Sequence, residues 1–212
     1  MRPVLALAVA TGLVLQPRIG NTEEGEAPGS GVFFRVAYGP GWAWVSGTVP
    51  HYEDADDRVD ASGQARTLDL ALGAWLTPTL AVHASYLSGL VPNIKPEEQE
   101  YYDVVTYEPH ALGIGGTLQD ADGVVQVSAA VGPAVVGLEW GAEESVGSCS
   151  ASDLGWAAEA MAGAGFDVAP RWSMGLALQV TALWADLGAH LVGIEGDAAL
   201  FTASLLVTAT YQ

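Results

Sequence analysis

Apolar and polar residues alternate between Trp172 and Trp184, in the segment W-S-M-G-L-A-L-Q-V-T-A-L-W. Every second residue is apolar, and the residues between are small or polar, with Leu183 as the one large exception. A period of two is typical of a β-strand with one apolar face. About twelve residues that rise about 3.3 Å each and are tilted by about 40° span about 30 Å, the thickness of a bilayer's hydrocarbon core. The pattern predicts a transmembrane strand with a tryptophan at each interface.

Seven further segments alternate in the same way, and each is long enough to be a strand. They cover about 32–49, 65–76, 80–91, 104–119, 124–140, 154–168 and 198–212. The fifth strand contains Pro133, which cannot donate a ladder hydrogen bond, so we expect a β-bulge there.

The connections between these segments alternate between long and short. The turns at 77–79, 120–123 and 169–171 are tight and contain Pro or Asp-Gly, whereas 50–64, 92–103, 141–153 and 187–197 are long and mostly polar. This alternation places all long loops at one end of a closed sheet. The sequence therefore predicts an all-β fold over 31–212, an eight-stranded antiparallel up-and-down transmembrane β-barrel.

Composition supports a membrane barrel. Half of the 212 residues are hydrophobic and only 15% are charged, against about 25% in soluble domains. The sequence contains no run of 18 apolar residues, so it predicts no transmembrane helix. The net charge of -18 argues against nucleic acid as a partner. Cys149 is the only cysteine, which excludes an intramolecular disulfide.

The N-terminus has the features of an export signal. Arg2 provides a positive charge, and an apolar run over 3–15 follows it. We interpret 1–20 as a signal-peptide-like segment, with an additional strand or a mis-assigned start codon as the alternatives. Residues 21–30 are polar and contain Gly and Pro, so we expect a flexible lead-in.

Three segments resemble a known family. They are A-W-L-T-P-T-L-A-V (74–82), F-D-V-A-P-R-W-S-M-G-L (166–176) and S-L-L-V-T-A-T-Y-Q (204–212). They are similar to the small eight-stranded bacterial outer-membrane β-barrel proteins, OmpA-, OmpX- and OmpW-like, over about Gly31 to Gln212. The resemblance implies an outer-membrane location and identifies no subfamily. Terminal strands of that family usually end on an aromatic residue, whereas here Tyr211 is followed by Gln212.

A soluble lipocalin- or avidin-like barrel, with its apolar face inward around a ligand, is the alternative fold. Two features favour the membrane. The less apolar parity is rich in Gly, Ala, Ser and Thr, which would make a poor water-facing surface. Aromatic residues lie at strand ends, as the interface girdles of membrane barrels require: Trp42, Trp44, Trp156, Phe166, Trp172, Trp184 and Tyr211.

Polar side chains on the strand faces opposite to the apolar ones are expected to point into the lumen. They are Arg35, Asp69, His83, Gln126, Glu159, Asp167 and Gln179. Eight strands leave an interior just wide enough for side chains to fill. The simplest interpretation is a structural polar plug, and the alternative is a narrow channel for small solutes lined by the carboxylates.

An enzyme is a more distant hypothesis. His83 and Ser85 share one strand face, and Asp69 lies on the neighbouring strand. A Ser/His/acid hydrolase like the lipid-modifying outer-membrane barrels would require these three side chains to lie close together. No nucleophile motif surrounds Ser85. We therefore expect no catalytic residues and no cofactor.

Two acidic stretches, 51–60 and 95–103, lie in the predicted long loops. Asp54, Asp56 and Asp57 form a weak Ca²⁺ candidate, because they lack the residue order of an EF-hand loop. Solvated negative surface is the simpler interpretation, with an extracellular ligand or a cation as a candidate partner. Together the features predict a monomeric outer-membrane barrel, in contact with outer-membrane lipid, with a structural or surface-interaction role.

Overall fold

Eight long strands make up the part of the chain that the structure describes. The computed structural model describes residues 31–50, 56–94, 104–141, 148–187 and 196–212. In chain order the strands are β1 (Gly31–Pro50), β2 (Asp56–Thr77), β3 (Leu80–Ile94), β4 (Val104–Gln119), β5 (Val125–Gly141), β6 (Ser148–Ala169), β7 (Trp172–Leu187) and β8 (Gly196–Tyr211). The N-terminal segments 1–20 and 21–30 lie outside the described residues.

Each strand pairs antiparallel with its neighbours in the chain, and β8 closes on β1. The sheet is therefore a closed up-and-down barrel, which confirms the predicted fold class. Closure leaves no unpaired edge strand, so the hydrogen-bonded ladders between neighbouring strands need no water. Within the described residues, no helix is long and apolar enough to span a membrane.

The outer surface of the barrel is apolar. On β7, Met174, Leu176, Leu178 and Val180 are all exposed, whereas Gln179 between them is buried. The same alternation places Leu72, Ile114, Val131 and Leu205 on the outside of four other strands. So much exposed aliphatic surface is stable only in a bilayer. A closed barrel with an apolar outer band and short turns at one end is the architecture of bacterial outer-membrane barrels, and the predicted location is confirmed.

Two of the short turns are held by side chains that accept backbone hydrogen bonds. Asp120 Oδ1 accepts from Val124 N at 2.7 Å and from Val125 N at 3.1 Å. In the same turn Gly123 has a φ of 68°, a conformation that glycine adopts without steric cost. Thr77 Oγ1 accepts from Leu80 N at 3.0 Å in the preceding short turn. These local bonds fix the turns that the sequence predicts.

Two strands begin earlier than predicted. β2 starts at Asp56 rather than near residue 65, and β6 starts at Ser148 rather than near 154. The polar residues 56–64 continue the ladder with β1 as far as Pro50, because strand pairing beyond the bilayer does not require apolar side chains. Cys149 therefore lies in β6, paired with Trp140, and not in a loop.

The predicted bulge at Pro133 is wrong. The register of β5 against β6 runs through Pro133 and Trp156 without a shift. A proline removes one ladder hydrogen bond, and here the strand accommodates that loss without inserting a residue. The register shifts that do occur lie near strand ends, between Trp75 and Thr77, Val91 and Ile94, and Asp167 and Ala169. Barrel rims are common sites for such irregularities.

Candidate functional site

Arg35 lies at the centre of a polar network inside the barrel. It projects inward from β1 and is only 2% exposed. Its Nη2 lies 3.3 Å from Asp69 Oδ1 on the neighbouring strand β2. Its Nη1 donates to Ser128 Oγ on β5, also at 3.3 Å. Because β5 is half-way around the eight-stranded barrel from β1, the arginine side chain spans the interior.

Gln179 extends the network from β7. Its Nε2 donates to Glu159 Oε2 on the adjacent β6 at 3.2 Å and to Asp69 Oδ2 at 3.4 Å. Asp69 is fully buried, and each of its carboxylate oxygens accepts one hydrogen bond, Oδ1 from Arg35 and Oδ2 from Gln179. Five of the eight strands are thus joined by side-chain hydrogen bonds through the lumen.

The electrostatics of this network depend on one cation and two carboxyl groups. A buried charge is costly unless it is paired and hydrogen-bonded. Arg35 has its partner in Asp69, and Glu159, which is half-buried, is reached by the Gln179 amide. The arrangement stabilises charged groups inside the barrel and holds their side chains in fixed positions.

An aromatic layer lies at the turn-side end of the interior. Phe33 packs against Trp75 with ring centroids 5.6 Å apart, and edge-on against His83 at 6.3 Å. His83 Nδ1 is 3.3 Å from Thr117 Oγ1. Phe33 and Trp75 are buried in the interior but are not among the predicted lumen residues, although both lie on the inward face of their strands.

An apolar layer fills the interior on the loop side of the network. The order of inward residues along β7 shows the sequence of layers: Gln179, then Thr181, then Leu183 and Ala185 towards the loops. Leu183 packs in one cluster of buried residues with, among others, Val45, Leu87, Val91, Val136 and Leu200. This layer was also missed. The signal for it was Leu183, the one large residue on the otherwise small and polar face of β7.

Two small cavities lie between the polar and apolar layers. One, of about 10 Å³, is lined by Thr67, Thr181, Thr202 and residues of the apolar layer. The other, also about 10 Å³, is lined by Ser85 and Glu159 on its polar side. Each has room for about one water molecule.

The predicted lumen residues separate into two groups. Arg35, Asp69, Glu159 and Gln179 share the network, and His83 lies in the adjoining aromatic layer. Gln126 lies near the short turns, where its Nε2 donates to Gln119 Oε1 at 3.4 Å. Asp167 is exposed at the same end, because β6 reaches the barrel rim there. These last two residues are therefore not part of the central cluster.

All residues of the predicted aromatic girdle face outward. Phe166, Trp172 and Tyr211 lie at the turn end, where the Trp172 and Tyr211 rings are 5.3 Å apart. Trp42, Trp44, Trp156 and Trp184 lie towards the loops and are all at least 43% exposed. The two sets leave an aliphatic band between them, in which Leu178 is 66% exposed.

The calcium candidate is outside what the structure describes in side-chain detail: Asp54 precedes β2, and Asp56 and Asp57 are described only as strand backbone. Among the described residues, no group of three or more His, Cys, Asp or Glu side chains could hold a metal ion.

Comparison with known proteins shows likeness in structure only. No family model matches the sequence, and no curated protein matches it. The outer membrane protein OprG from Pseudomonas aeruginosa is similar with a TM-score of 0.49 and 12% identity, over 86% of this chain and 97% of that one. Neisserial surface protein A (NspA) is similar with a TM-score of 0.46 and 10% identity, over 86% and 99%. The outer membrane protease OmpT from Escherichia coli is similar with a TM-score of 0.43 and 8% identity, over 85% and 96%. None of these likenesses assigns a role to this chain.

Proposed function

We propose that this chain is an outer-membrane barrel with a structural or surface-interaction role, and that its own side chains close its interior to solutes. The observation that carries the proposal is the contact of Arg35 with both Asp69 and Ser128. A side chain anchored on neighbouring and opposite strands occupies the middle of an eight-stranded lumen, which has little room to spare.

The apolar layer supports the same proposal. Leu183 and Val91, which are almost completely buried, stack on the loop side of the polar network. An ion that entered from that side would have to leave water before reaching any carboxylate, which is costly in free energy. The cavities between the layers are too small for a solute larger than water.

The surface role rests on the loop end of the barrel. In the sequence, the acidic stretches 51–60 and 95–103 fall at the connections from β1 to β2 and from β3 to β4, in a chain with a net charge of -18. An electronegative rim attracts cations and basic ligands. We propose that this end meets a cationic partner outside the cell.

A solute-flux assay tests the closed interior. The purified barrel is reconstituted in vesicles, and their swelling is followed in isosmotic arabinose. We expect vesicles with the wild-type barrel to swell no faster than protein-free vesicles. Swelling that increases in proportion to the amount of inserted barrel contradicts the proposal. A heat-dependent gel shift of the same sample is the control for folded protein.

A narrow channel is the second candidate, and a specific observation favours it. Among the described residues, five buried polar atoms have no protein hydrogen-bond partner: Arg35 Nε, Trp75 Nε1, His83 Nε2, Gln179 Oε1 and Thr181 Oγ1. Such atoms are usually solvated by buried water. A continuous file of water through the layers would conduct small ions, which electrical recording detects.

Catalysis is the least supported role. The described contact of His83 Nδ1 is with Thr117 Oγ1, and Ser85 lines a cavity with Glu159. A hydrolase nucleophile requires a base within hydrogen-bonding reach, which here would have to be His83. We expect His83→Ala to leave the lipid-modification profile of expressing cells unchanged, and any altered lipid species would contradict this.

A further inference from the structure

The polar network in the middle of the barrel holds one cation and two carboxyl groups. The ion pair of Arg35 is with Asp69, and the other contact of the guanidinium is with the uncharged Ser128. With Glu159 ionised as well, the network would carry one negative charge without a counter-ion. A buried charge of that kind is costly, because little water is left to solvate it. The balance of charge therefore favours one neutral carboxyl group.

The two carboxyl groups also lie in contact with each other. Gln179 Nε2 donates to Asp69 Oδ2 at 3.4 Å and to Glu159 Oε2 at 3.2 Å, so one amide nitrogen holds an oxygen of each group. A side-chain hydrogen bond also joins Glu159 to Asp69 directly. Ionised carboxyl groups only accept hydrogen bonds, so a hydrogen bond between two of them requires a proton on one.

A buried acceptor beside the pair indicates the same protonation state. Gln179 Oε1 belongs to the amide group that holds both carboxyl groups. It has no hydrogen-bond partner among the described residues, although Gln179 is only 2% exposed. Two carboxylates would add only acceptors to this part of the interior, whereas a carboxylic acid adds an O–H donor.

His83 is the other titratable side chain that the described strands direct towards this part of the lumen. Its Nδ1 contacts Thr117 Oγ1, its Nε2 is buried without a partner in the described part of the chain, and its ring lies edge-on to Phe33. An imidazolium ion has two N–H donors that need acceptors, so this place fits a neutral ring. The buried side chains that β4, β5, β7 and β8 direct inward here are uncharged: Thr117, Ser128, Gln179 and Ser204. None of these strands supplies the missing positive charge.

We propose that Asp69 and Glu159 bind one proton between them at neutral pH, and that its release at alkaline pH destabilises the barrel. The proton belongs to the pair, because carboxyl groups in contact titrate together. Release leaves two carboxylates in contact beside one guanidinium, and their repulsion opposes the folded network. The folded barrel thus binds one proton more than the unfolded chain, so its stability falls as the pH rises. The proposal concerns the charge of the network and is independent of whether solutes pass through the lumen.

Infrared spectroscopy of the full barrel in lipid vesicles tests the proposal. A protonated carboxyl group has a C=O stretching band at higher frequency than a carboxylate, and exposed acids are ionised at neutral pH. We expect the wild type to show this band at pH 7 and to lose it at alkaline pH. Glu159→Gln, which keeps an acceptor for Gln179, should lack the band. Asp167→Asn, at the exposed turn end, is the control and should retain it.

Asp69→Asn separates a shared proton from simple burial of Glu159. Without the charge of Asp69, the guanidinium of Arg35 is free to balance Glu159, which should ionise, so the band should again be absent at pH 7. A band that persists in Asp69→Asn overturns the shared proton. So does a wild type without the band at pH 7, and so does a Glu159→Gln barrel that retains it.

Urea titration at several pH values gives a second measurement. Between about pH 5 and 7, the unfolding constant of the wild type relative to that of Glu159→Gln should rise about tenfold per pH unit, as expected for one proton. Parallel pH profiles for the two barrels would overturn the proposal. If Glu159→Gln fails to fold, as judged by the heat-dependent gel shift, Asp69→Asn replaces it in both measurements with the same expected results.

Discussion

Arg35 and Ser128 meet across the barrel, with Nη1 of the arginine 3.3 Å from the serine Oγ, although their strands lie half-way around the sheet from each other. The same guanidinium pairs with Asp69 beside it. A single side chain thereby connects both walls of the lumen. Its position makes the interior a packed layer, and the stability of the barrel depends on keeping that layer intact.

Removing the partner of this arginine should destabilise the barrel strongly. Asp69→Leu leaves a buried guanidinium without its counter-charge, and we expect a loss of about 3–5 kcal/mol in the free energy of unfolding. Urea titration of the barrel in lipid vesicles, followed by tryptophan fluorescence, measures it. Asp167→Leu, at the exposed turn end, is the control and should cost less than about 1 kcal/mol.

The double variant separates charge from packing. When Arg35→Met is combined with Asp69→Leu, the guanidinium is removed together with its counter-charge, and most of the lost stability should return. If the double variant is as unstable as Asp69→Leu alone, the uncompensated charge of Arg35 is not what destabilises the Asp69→Leu barrel.

An arginine on the lipid-facing surface should destabilise the barrel more when it lies nearer to the middle of the bilayer. Leu178 is exposed midway between Trp172 and Trp184, so Leu178→Arg should cost about 2–4 kcal/mol. Leu154→Arg, beyond Trp156 towards the loops, should cost about 0–1 kcal/mol. Equal costs for the two variants would be incompatible with a bilayer centred on Leu178.

The apolar layer should behave as a protein core. Leu183 is 2% exposed, and Leu183→Ala should cost about 2–5 kcal/mol because it leaves a cavity. Leu178→Ala on the outer face of the same strand is the control, and its cost should be smaller because lipid fills the space. The same urea titration compares them, and a greater cost at Leu178 would contradict a packed interior.

The second short turn should depend on its glycine. Gly123→Ala places a side chain at a φ of 68° and should cost about 1–2 kcal/mol. Gly116→Ala is the matched control, because the nearest atom that its Cβ would meet is 3.5 Å away. A Gly123→Ala barrel as stable as the control would mean that the turn adopts another conformation.

The sequence predicted which face of each strand points outward, because a period of two assigns every side chain to one of two surfaces. It placed Arg35, Asp69, Glu159 and Gln179 inside for the same reason. The contact of Arg35 with Ser128 could not be predicted, because the residues that meet across a barrel depend on its closure and shear. The Phe33–Trp75 layer and the apolar layer around Leu183 depend on register in the same way. The early start of β2 was missed because its residues 56–64 are polar, and pairing outside the bilayer leaves no hydrophobic signal.

Single-channel recording tests the closed interior most directly. The wild-type barrel and the triple variant Arg35→Ala, Leu183→Ala, Leu200→Ala are inserted separately into planar bilayers in potassium chloride. The closed-interior account predicts no sustained current steps for the wild type, and discrete steps when the network and the apolar layer are both removed. Stable steps in the wild type that are altered by Asp69→Asn or Glu159→Gln would contradict that account and would establish the narrow channel.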